Sequence, residues 1–218
     1  MKRIVVILRV LALLLLVASS FSLFAGCKEK TVPANPSDRN VPVYVLMEFA
    51  GYGNIVLKLD PENAPITVNN FVSLVREGYY DGLTITRIQE NFVIQGGQGV
   101  IEKTPIRGEF SENGVNNRIA HEKGVISMAR TNDPNSATTQ FFICLDTDTC
   151  RRSLDGKYAG FGKVISGMAN VDRMVAECAN YGNPYNMGFI GDPADQPVIR
   201  SARVITAQEA EAYPRDPS

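Results

Sequence analysis

The feature that most limits how this chain can fold is a two-residue rhythm, carried in short runs that glycine and proline cut off. Val43, Val45, Met47 and Phe49 alternate with Tyr44, Leu46 and Glu48. Ile55, Leu57 and Leu59 alternate with Asn54, Val56 and Lys58, and Gly51-Tyr52-Gly53-Asn54 lies between the two runs. Successive side chains of a strand point to opposite faces, so this spacing predicts a β-hairpin with a glycine turn. Further short strands are expected at Leu83 to Ile88, Phe92 to Gln95, Val125 to Ala129, Gln140 to Leu145, Ala159 to Val164 and Val198 to Ile205.

Two stretches keep a different period. After the break Asp60-Pro61-Glu62-Asn63-Ala64-Pro65, the residues Val68, Phe71, Val72 and Val75 fall at helical spacing, and Gly78 ends them. Met168, Val171, Met174, Val175 and Cys178 suggest a second helix. Gly108 to Gly124 and Asn180 to Gln196 are rich in turn formers and read as loops. Many short strands with only two helices and no internal repeat point to a sandwich or a barrel, and the pattern alone does not choose between them.

The N-terminus carries a different kind of information. Lys2, Arg3 and Arg9 form a positive start, and Val10 to Cys27 then carries no charge. This order reads as a secretory signal over residues 1–26. Its end, Leu23-Phe24-Ala25-Gly26-Cys27, resembles the lipobox of bacterial lipoproteins, with Phe24 where leucine is usual. The resemblance implies cleavage before Cys27, lipidation of its thiol and an extracytoplasmic, lipid-anchored protein. An uncleaved membrane anchor is the alternative, because the uncharged run approaches the minimum for a spanning helix. Residues 27–42 are polar with three prolines after Cys27, as in a flexible tether. A folded domain is expected over residues 43–206 and a C-terminal tail over 207–218.

Composition narrows the chemistry. With 44% hydrophobic and 21% charged residues the chain is of ordinary globular type. Removing the three basic residues of 1–26 from 22 leaves 19 basic against 23 acidic groups, which gives no footprint for nucleic acid. The single histidine, His121, excludes the usual clustered zinc sites. No GxSxG elbow, Walker loop or dinucleotide fingerprint occurs. A nucleophilic Cys144–His121 pair is conceivable, but Cys144 sits in an apolar strand run where an inert buried thiol is expected. Cys150 and Cys178 are open: an extracytoplasmic address permits a disulfide, and sequence does not show whether their Cα atoms approach.

Two segments remain. Thr86 to Gly97 reads TRIQENFVIQGG, and Gly124 to Arg130 reads GVISMAR, followed by Gln140-Phe141-Phe142-Ile143. These resemble the signature segments of the cyclophilins, prolyl isomerases built on a closed β-barrel, and the resemblance extends over about Val43 to Ile205. It selects the barrel: eight antiparallel strands, closed, with one helix capping each end. It implies that Arg87 is the catalytic arginine and that Gln95 orients it. Phe92, Val93, Phe142 and Leu154 would wall the proline pocket, and Gln140 would line the groove. Ala129 and Arg130 would belong to the segment whose backbone pairs with substrate, and Tyr158 would replace a histidine on the rim. His121 would lie outside the pocket, as a structural residue.

Such a reaction needs no nucleophile, proton transfer, metal or cofactor. Resonance holds an X–Pro amide planar behind a barrier of ~18–20 kcal/mol. In the twisted amide the proline nitrogen regains its lone pair, and a guanidinium can donate to it. Arginine suits this because its donors form a fixed, permanently charged fork. A reduction of ~7 kcal/mol would accelerate rotation about 10⁵-fold.

Several positions depart from the family pattern. Ser153 stands where many relatives carry the tryptophan that contacts cyclosporin, so weak cyclosporin binding is expected. Val93 replaces a frequent methionine, and Arg130 replaces an asparagine, which opens a difference in the acidity of preferred substrates. Glu90-Asn91 replaces a frequent Pro-Gly turn and leaves the local loop shape open. The expected partners are proline-containing segments of exported proteins, together with the membrane that holds the anchor. The competing readings are a chaperone or scaffold that grips such segments with little turnover, and a lipoprotein that binds a small solute.

Overall fold

The computed structural model describes residues 41–216. The expected signal segment, Cys27 and residues 27–40 of the tether lie outside them. The described residues fold around a mainly antiparallel sheet of ten strands. They are β1 (Val43–Phe49), β2 (Gly53–Leu59), β3 (Ile85–Gln89), β4 (Val93–Gly96), β5 (Val125–Met128), β6 (Phe141–Cys144), β7 (Gly160–Ser166), β8 (Gly182–Asn183), β9 (Phe189–Ile190) and β10 (Ile199–Ile205). The strand order is β10-β1-β2-β7-β5-β6-β4-β3-β9-β8, and each pair is antiparallel.

This differs from an eight-stranded closed sheet in two ways. The long loop Asn180 to Gln196 contains β8 and β9, each only two residues long. The ends of the ladder order, β10 and β8, are not paired with each other. Between β10 and the β3 side there is one isolated bridge, Thr84 to Val198. The backbone bonds Ile85 N to Pro197 O and Ile199 N to Leu83 O, both 2.8 Å, flank it.

Four helices occur among the described residues rather than two: α1 (Pro65–Arg76), α2 (Thr147–Leu154), α3 (Met168–Cys178) and α4 (Ala207–Glu211). Helix α1 begins with Pro65, which needs no hydrogen-bond partner for its nitrogen. Its next two N–H groups are satisfied from far along the chain. Buried Glu109 accepts from Ile66 N at 3.0 Å, from Thr67 N at 2.8 Å and from Thr67 Oγ1 at 2.7 Å. A carboxylate at a helix N-terminus also meets the positive end of the helix dipole. The apolar stripe of α1 then puts Phe71 against Tyr80, Phe141 and Phe161, with ring centroids 5.1, 5.9 and 5.1 Å away.

Helix α2 is short and mostly polar, which hid it from a reading of apolar periodicity. Its start is nonetheless ordinary: Asp146 caps it by accepting from Thr149 N at 2.8 Å. Cys150 and Leu154, one turn apart, are its buried residues. Residues 207–216 fold back on the sheet. Thr206 and Glu209 form a reciprocal capping box, Ala210 is buried, and Tyr213 packs with Leu46, Val56 and Ile205.

Among the described residues no disulfide is formed. Cys144, Cys150 and Cys178 are free and buried. Cys150 Sγ donates to Phe92 O at 3.1 Å, whereas Cys178 Sγ lies 3.0 Å from Tyr52 Oη in a different apolar cluster.

Candidate functional site

Residues in register across a sheet share a face, and here the register assembles a row. Phe189 of β9 is opposite Arg87 of β3, Arg87 is opposite Gln95 of β4, Gln95 is opposite Phe142 of β6, and Phe142 is opposite Ser127 of β5. Strand alternation adds Val93, two residues from Gln95, to the same face. Helix α2 contributes Leu154 from behind, and the turn after it contributes Tyr158.

A cavity of about 210 Å³ opens on this row. It is lined by Arg87, Phe92, Val93, Gln95, Ala129, Arg130, Phe142, Leu154 and Tyr158, together with Met187 and Phe189. Drug-sized ligands occupy roughly 300–1,000 Å³, so this space suits one side chain rather than a large cofactor. Its floor is apolar: Val93, Phe142 and Leu154 are buried in one cluster with Cys144 and Cys150. Tyr158 meets Phe142 edge to face, 5.6 Å between centroids. Nine of the residues named from the sequence therefore lie together. The tenth, Gln140, stands just behind and accepts from Gln95 Nε2 at 3.0 Å.

Arg87 is held on three sides. Its Nε donates to Met187 O at 2.7 Å, one Nη to Gln95 Oε1 at 3.2 Å and the other to Gln89 Oε1. An arginine has five N–H donors, so two stay uncommitted to protein partners among the described residues. The guanidinium carbon lies 5.8 Å from the Phe92 ring centre and 5.7 Å from that of Phe189, within cation–π range. Burial lowers its pKa from the usual arginine value, with an opposing contribution from Tyr158. Removed from water in this way, each remaining donor acts more strongly on whatever enters the cavity.

The turn before the pocket, at Glu90-Asn91, is closed by its own backbone. Asn91 takes the left-handed conformation, φ 58°, and Phe92 N donates to Gln89 O at 3.1 Å. Asparagine tolerates that region better than most residues with a Cβ.

Arg130 is committed to the protein. Its Nε and one Nη donate to Lys157 O at 3.0 and 2.9 Å, and the other Nη donates to Thr131 O at 2.7 Å. Its guanidinium carbon lies 4.6 Å from the Tyr158 ring centre and 5.1 Å from that of Phe110. It thus braces the rim residue Tyr158.

His121 lies outside the cavity, stacked behind Phe142 at 6.2 Å. Its Nδ1 is 2.8 Å from Asp155 Oδ1 and its Nε2 is 3.1 Å from Ser127 Oγ. Both ring nitrogens are engaged by these partners, and the neighbouring Cys150 thiol together with burial raises the Cys144 pKa. The conceivable Cys144–His121 nucleophile pair is therefore not formed.

Two lining residues escaped the sequence reading: Met187 and Phe189, both in the loop that holds β8 and β9. Their approach depends on backbone. Ile88 N donates to Gly188 O at 2.9 Å, Gly188 N donates to Asn183 O at 2.9 Å, and Gly188 has φ 81°. A Cβ at Gly188 would stand 2.2 Å from Ile88 O. The run Asn186-Met187-Gly188 carries a turn signal, but nothing in it names the strand it docks on.

The profile of one family, described as cyclophilin type peptidyl-prolyl cis-trans isomerase/CLD, matches residues 44–204. The chain is 36% identical over 161 residues to the peptidyl-prolyl cis-trans isomerase A of Dickeya dadantii, covering 70% of this chain and 80% of that one. It is 40% identical over 144 residues to a peptidyl-prolyl cis-trans isomerase of Acinetobacter baylyi, covering 62% and 74%. The crystal structure of a cyclophilin type isomerase from Cryptosporidium parvum superposes with a TM-score of 0.63 at 21% identity, covering 76% of this chain and 99% of that one. A second structure of that protein was obtained in the presence of the dipeptide Ala-Pro.

Proposed function

The chain belongs to the cyclophilin-type peptidyl-prolyl cis-trans isomerases, and from that premise we propose that Arg87 accelerates X–Pro rotation by stabilising the twisted amide. A single observation carries the reading: Arg87, fixed by Gln95, Gln89 and the Met187 carbonyl, keeps two donors free at the mouth of an apolar cavity of one-residue size. The proline ring enters between Val93, Phe142 and Leu154. The free donors of Arg87 then meet the proline nitrogen as its lone pair localises. Donors fixed before the reaction need no reorganisation as charge shifts, so they favour the transition state over the planar ground state. Gln95 shares its oxygen with Arg87 and its amide with Gln140, which sets the fork's angle.

The physiological setting belongs to the same proposal. The Leu23-to-Cys27 segment supports a lipid-anchored, extracytoplasmic enzyme acting on exported proteins. Uncatalysed isomerisation takes tens of seconds or more, so a tethered catalyst beside an export route has work to do. For the sheet, we retain the closed eight-stranded barrel as the reading of its larger strands, supported by the Thr84–Val198 bridge and its flanking bonds. Exposed Ser153, in place of a tryptophan, supports weak cyclosporin binding.

The test is an isomerisation assay on an X-Pro peptide with residues 28–218, with and without Arg87→Ala. The expected result is fast turnover by the wild type and a fall of about 10²-fold or more in the variant. An Arg87→Ala protein within a few-fold of the wild type would remove the electrostatic mechanism. A wild type no faster than buffer would move the function to gripping proline segments without turnover.

A further inference from the structure

The row that carries Arg87 does not stop at Arg87. It runs on to Phe189, and the sheet order β5-β6-β4-β3-β9 puts the Ala129–Arg130 segment and the Met187–Phe189 segment at opposite limits of the cavity. Four strand spacings of ~4.8 Å separate β5 from β9, about 19 Å, the reach of five or six extended residues. A segment laid along this row with its proline in the cavity would cross β3, and because Met187 itself lines the cavity, that side chain would face the substrate within one or two residues of the proline.

That hairpin offers apolar surface and no charge. Residues 182–191, GNPYNMGFIG, contain no ionisable acid or base apart from the Tyr185 phenol. Met187 lines the cavity while 60% exposed, so much of its side chain is available to a ligand. It is also held at φ 54°, a conformation that a residue with a long side chain seldom adopts. Strained backbone of this kind persists where the surroundings fix it. Here the fixing contacts are Arg87 Nε on the Met187 carbonyl and the Ile88–Gly188 bond. Arg130 is packed on aromatic rings and bonded to the Lys157 and Thr131 carbonyls, and the free donors of Arg87 face the proline, so beyond the proline the wall itself offers apolar surface rather than charge.

We propose that the β8–β9 hairpin is a specificity wall, on which Met187 and the edge of Phe189 select substrates bearing a large apolar side chain one or two positions beyond the proline, on the Arg87 side. This rests on the isomerase reading and adds a substrate preference to it. Methionine suits the task because its unbranched thioether adapts to differently shaped apolar partners. Each methylene buried there changes the rate constant ratio by about fourfold, so a leucine or phenylalanine that buries the equivalent of one to two methylenes on this exposed wall gains about five- to fifteenfold over glycine.

The test uses proline hexapeptides in which leucine, phenylalanine, glycine or glutamate is placed in turn at each of two positions on either side of the proline. Exchange NMR gives kcat/KM for the wild type, Met187→Asn, Met187→Leu and Tyr185→Ser. Asparagine tolerates the left-handed backbone, so the first variant changes the surface while keeping the turn. The expected result is an apolar preference of about five- to fifteenfold on one side of the proline only. It collapses below about twofold in Met187→Asn and is restored in Met187→Leu. Tyr185, 98% exposed on the same hairpin and outside the cavity lining, keeps the wild-type ratio when replaced by serine. An active wild type with equal rates for all side chains, or a ratio unmoved by Met187→Asn, overturns the wall and leaves the isomerase reading intact. A wild type that turns over no peptide overturns both.

Discussion

The cavity has two walls made in different ways. The inner wall, Val93, Phe142 and Leu154, belongs to strands and a helix and is buried in a cluster that continues to Cys144 and Cys150. The outer wall is made by Met187, in the turn between β8 and β9, and Phe189, on two-residue β9, and it is held to β3 and Arg87 through main-chain groups. In the first, side-chain packing fixes the backbone; in the second, backbone geometry places the side chains. Damage to the inner wall should thus cost stability and activity together. Damage to the outer wall should cost activity, or change its selectivity, with little effect on folding.

The largest effect expected from breaking this contrast is at the inner wall. Phe142 is only 4% exposed and touches Tyr158 and His121. Phe142→Ala removes about 3–5 kcal/mol of stability, the usual cost of emptying a buried aromatic site. Activity should fall by about two orders of magnitude with it, as the proline loses a wall. Urea unfolding and kcat/KM on the same preparation check this. Phe142→Leu, which fills most of the volume, should lose less of both and keep them in proportion. A variant that lost activity alone would show the inner wall to be less structural than its burial implies.

Gly188→Ala is the matching cut at the outer wall. The methyl would meet Ile88 O, and φ 81° is unfavourable for alanine. The hairpin must move off β3 and take the Met187 carbonyl from Arg87 Nε. We expect kcat/KM to fall about tenfold, the loss of one orienting hydrogen bond to a charged group, while stability falls by only about 1–2 kcal/mol. A loss of stability as large as that of Phe142→Ala would erase the distinction between the walls.

The same distinction explains what could be read from the sequence. The strands β1, β2 and β10 and the helices α1 and α3 were legible because their apolar residues repeat at the period of the element. Arg87 and the inner wall followed from the resemblance to known signature segments, in which Arg87, Phe92, Val93 and Gln95 lie within nine residues of one another and Phe142 stands in the run Gln140-Phe141-Phe142-Ile143. Glu109, the cap of α1, was not legible: a carboxylate that serves a helix 42 residues earlier leaves no local pattern. Helix α2 was missed because only two of its eight residues are buried. The outer wall was missed for the deepest reason. Its contacts are carbonyls and N–H groups, which every residue has, so its composition reads as loop.

The smallest effect expected separates the walls by pH. His121 is nearly fully buried behind Phe142, and that burial lowers its pKa from the usual histidine value, against an opposing pull from Asp155. The folded state therefore resists a proton that the unfolded chain accepts near pH ~6.5. With more protons on the unfolded state, stability rises with pH. It is accordingly present in full above pH ~6.5 and drains away as pH falls from there toward the folded-state pKa. Between pH 7 and 5.5 the loss is at most about 1 kcal/mol. Asp146 and Glu209, both with lowered pKa values, lose their contributions only at the lower pH where carboxylates titrate, so they lie outside this window. Urea midpoints at pH 7 and 5.5 should show the drop in the wild type and a smaller one in His121→Gln. Because His121 braces Ser127 and Phe142 but no part of the hairpin, amide exchange should quicken first in β5 and β6, with Gly188 unchanged. If the hairpin amides quickened at the same pH, the two walls would be one cooperative unit, and the separation argued from their construction would fail.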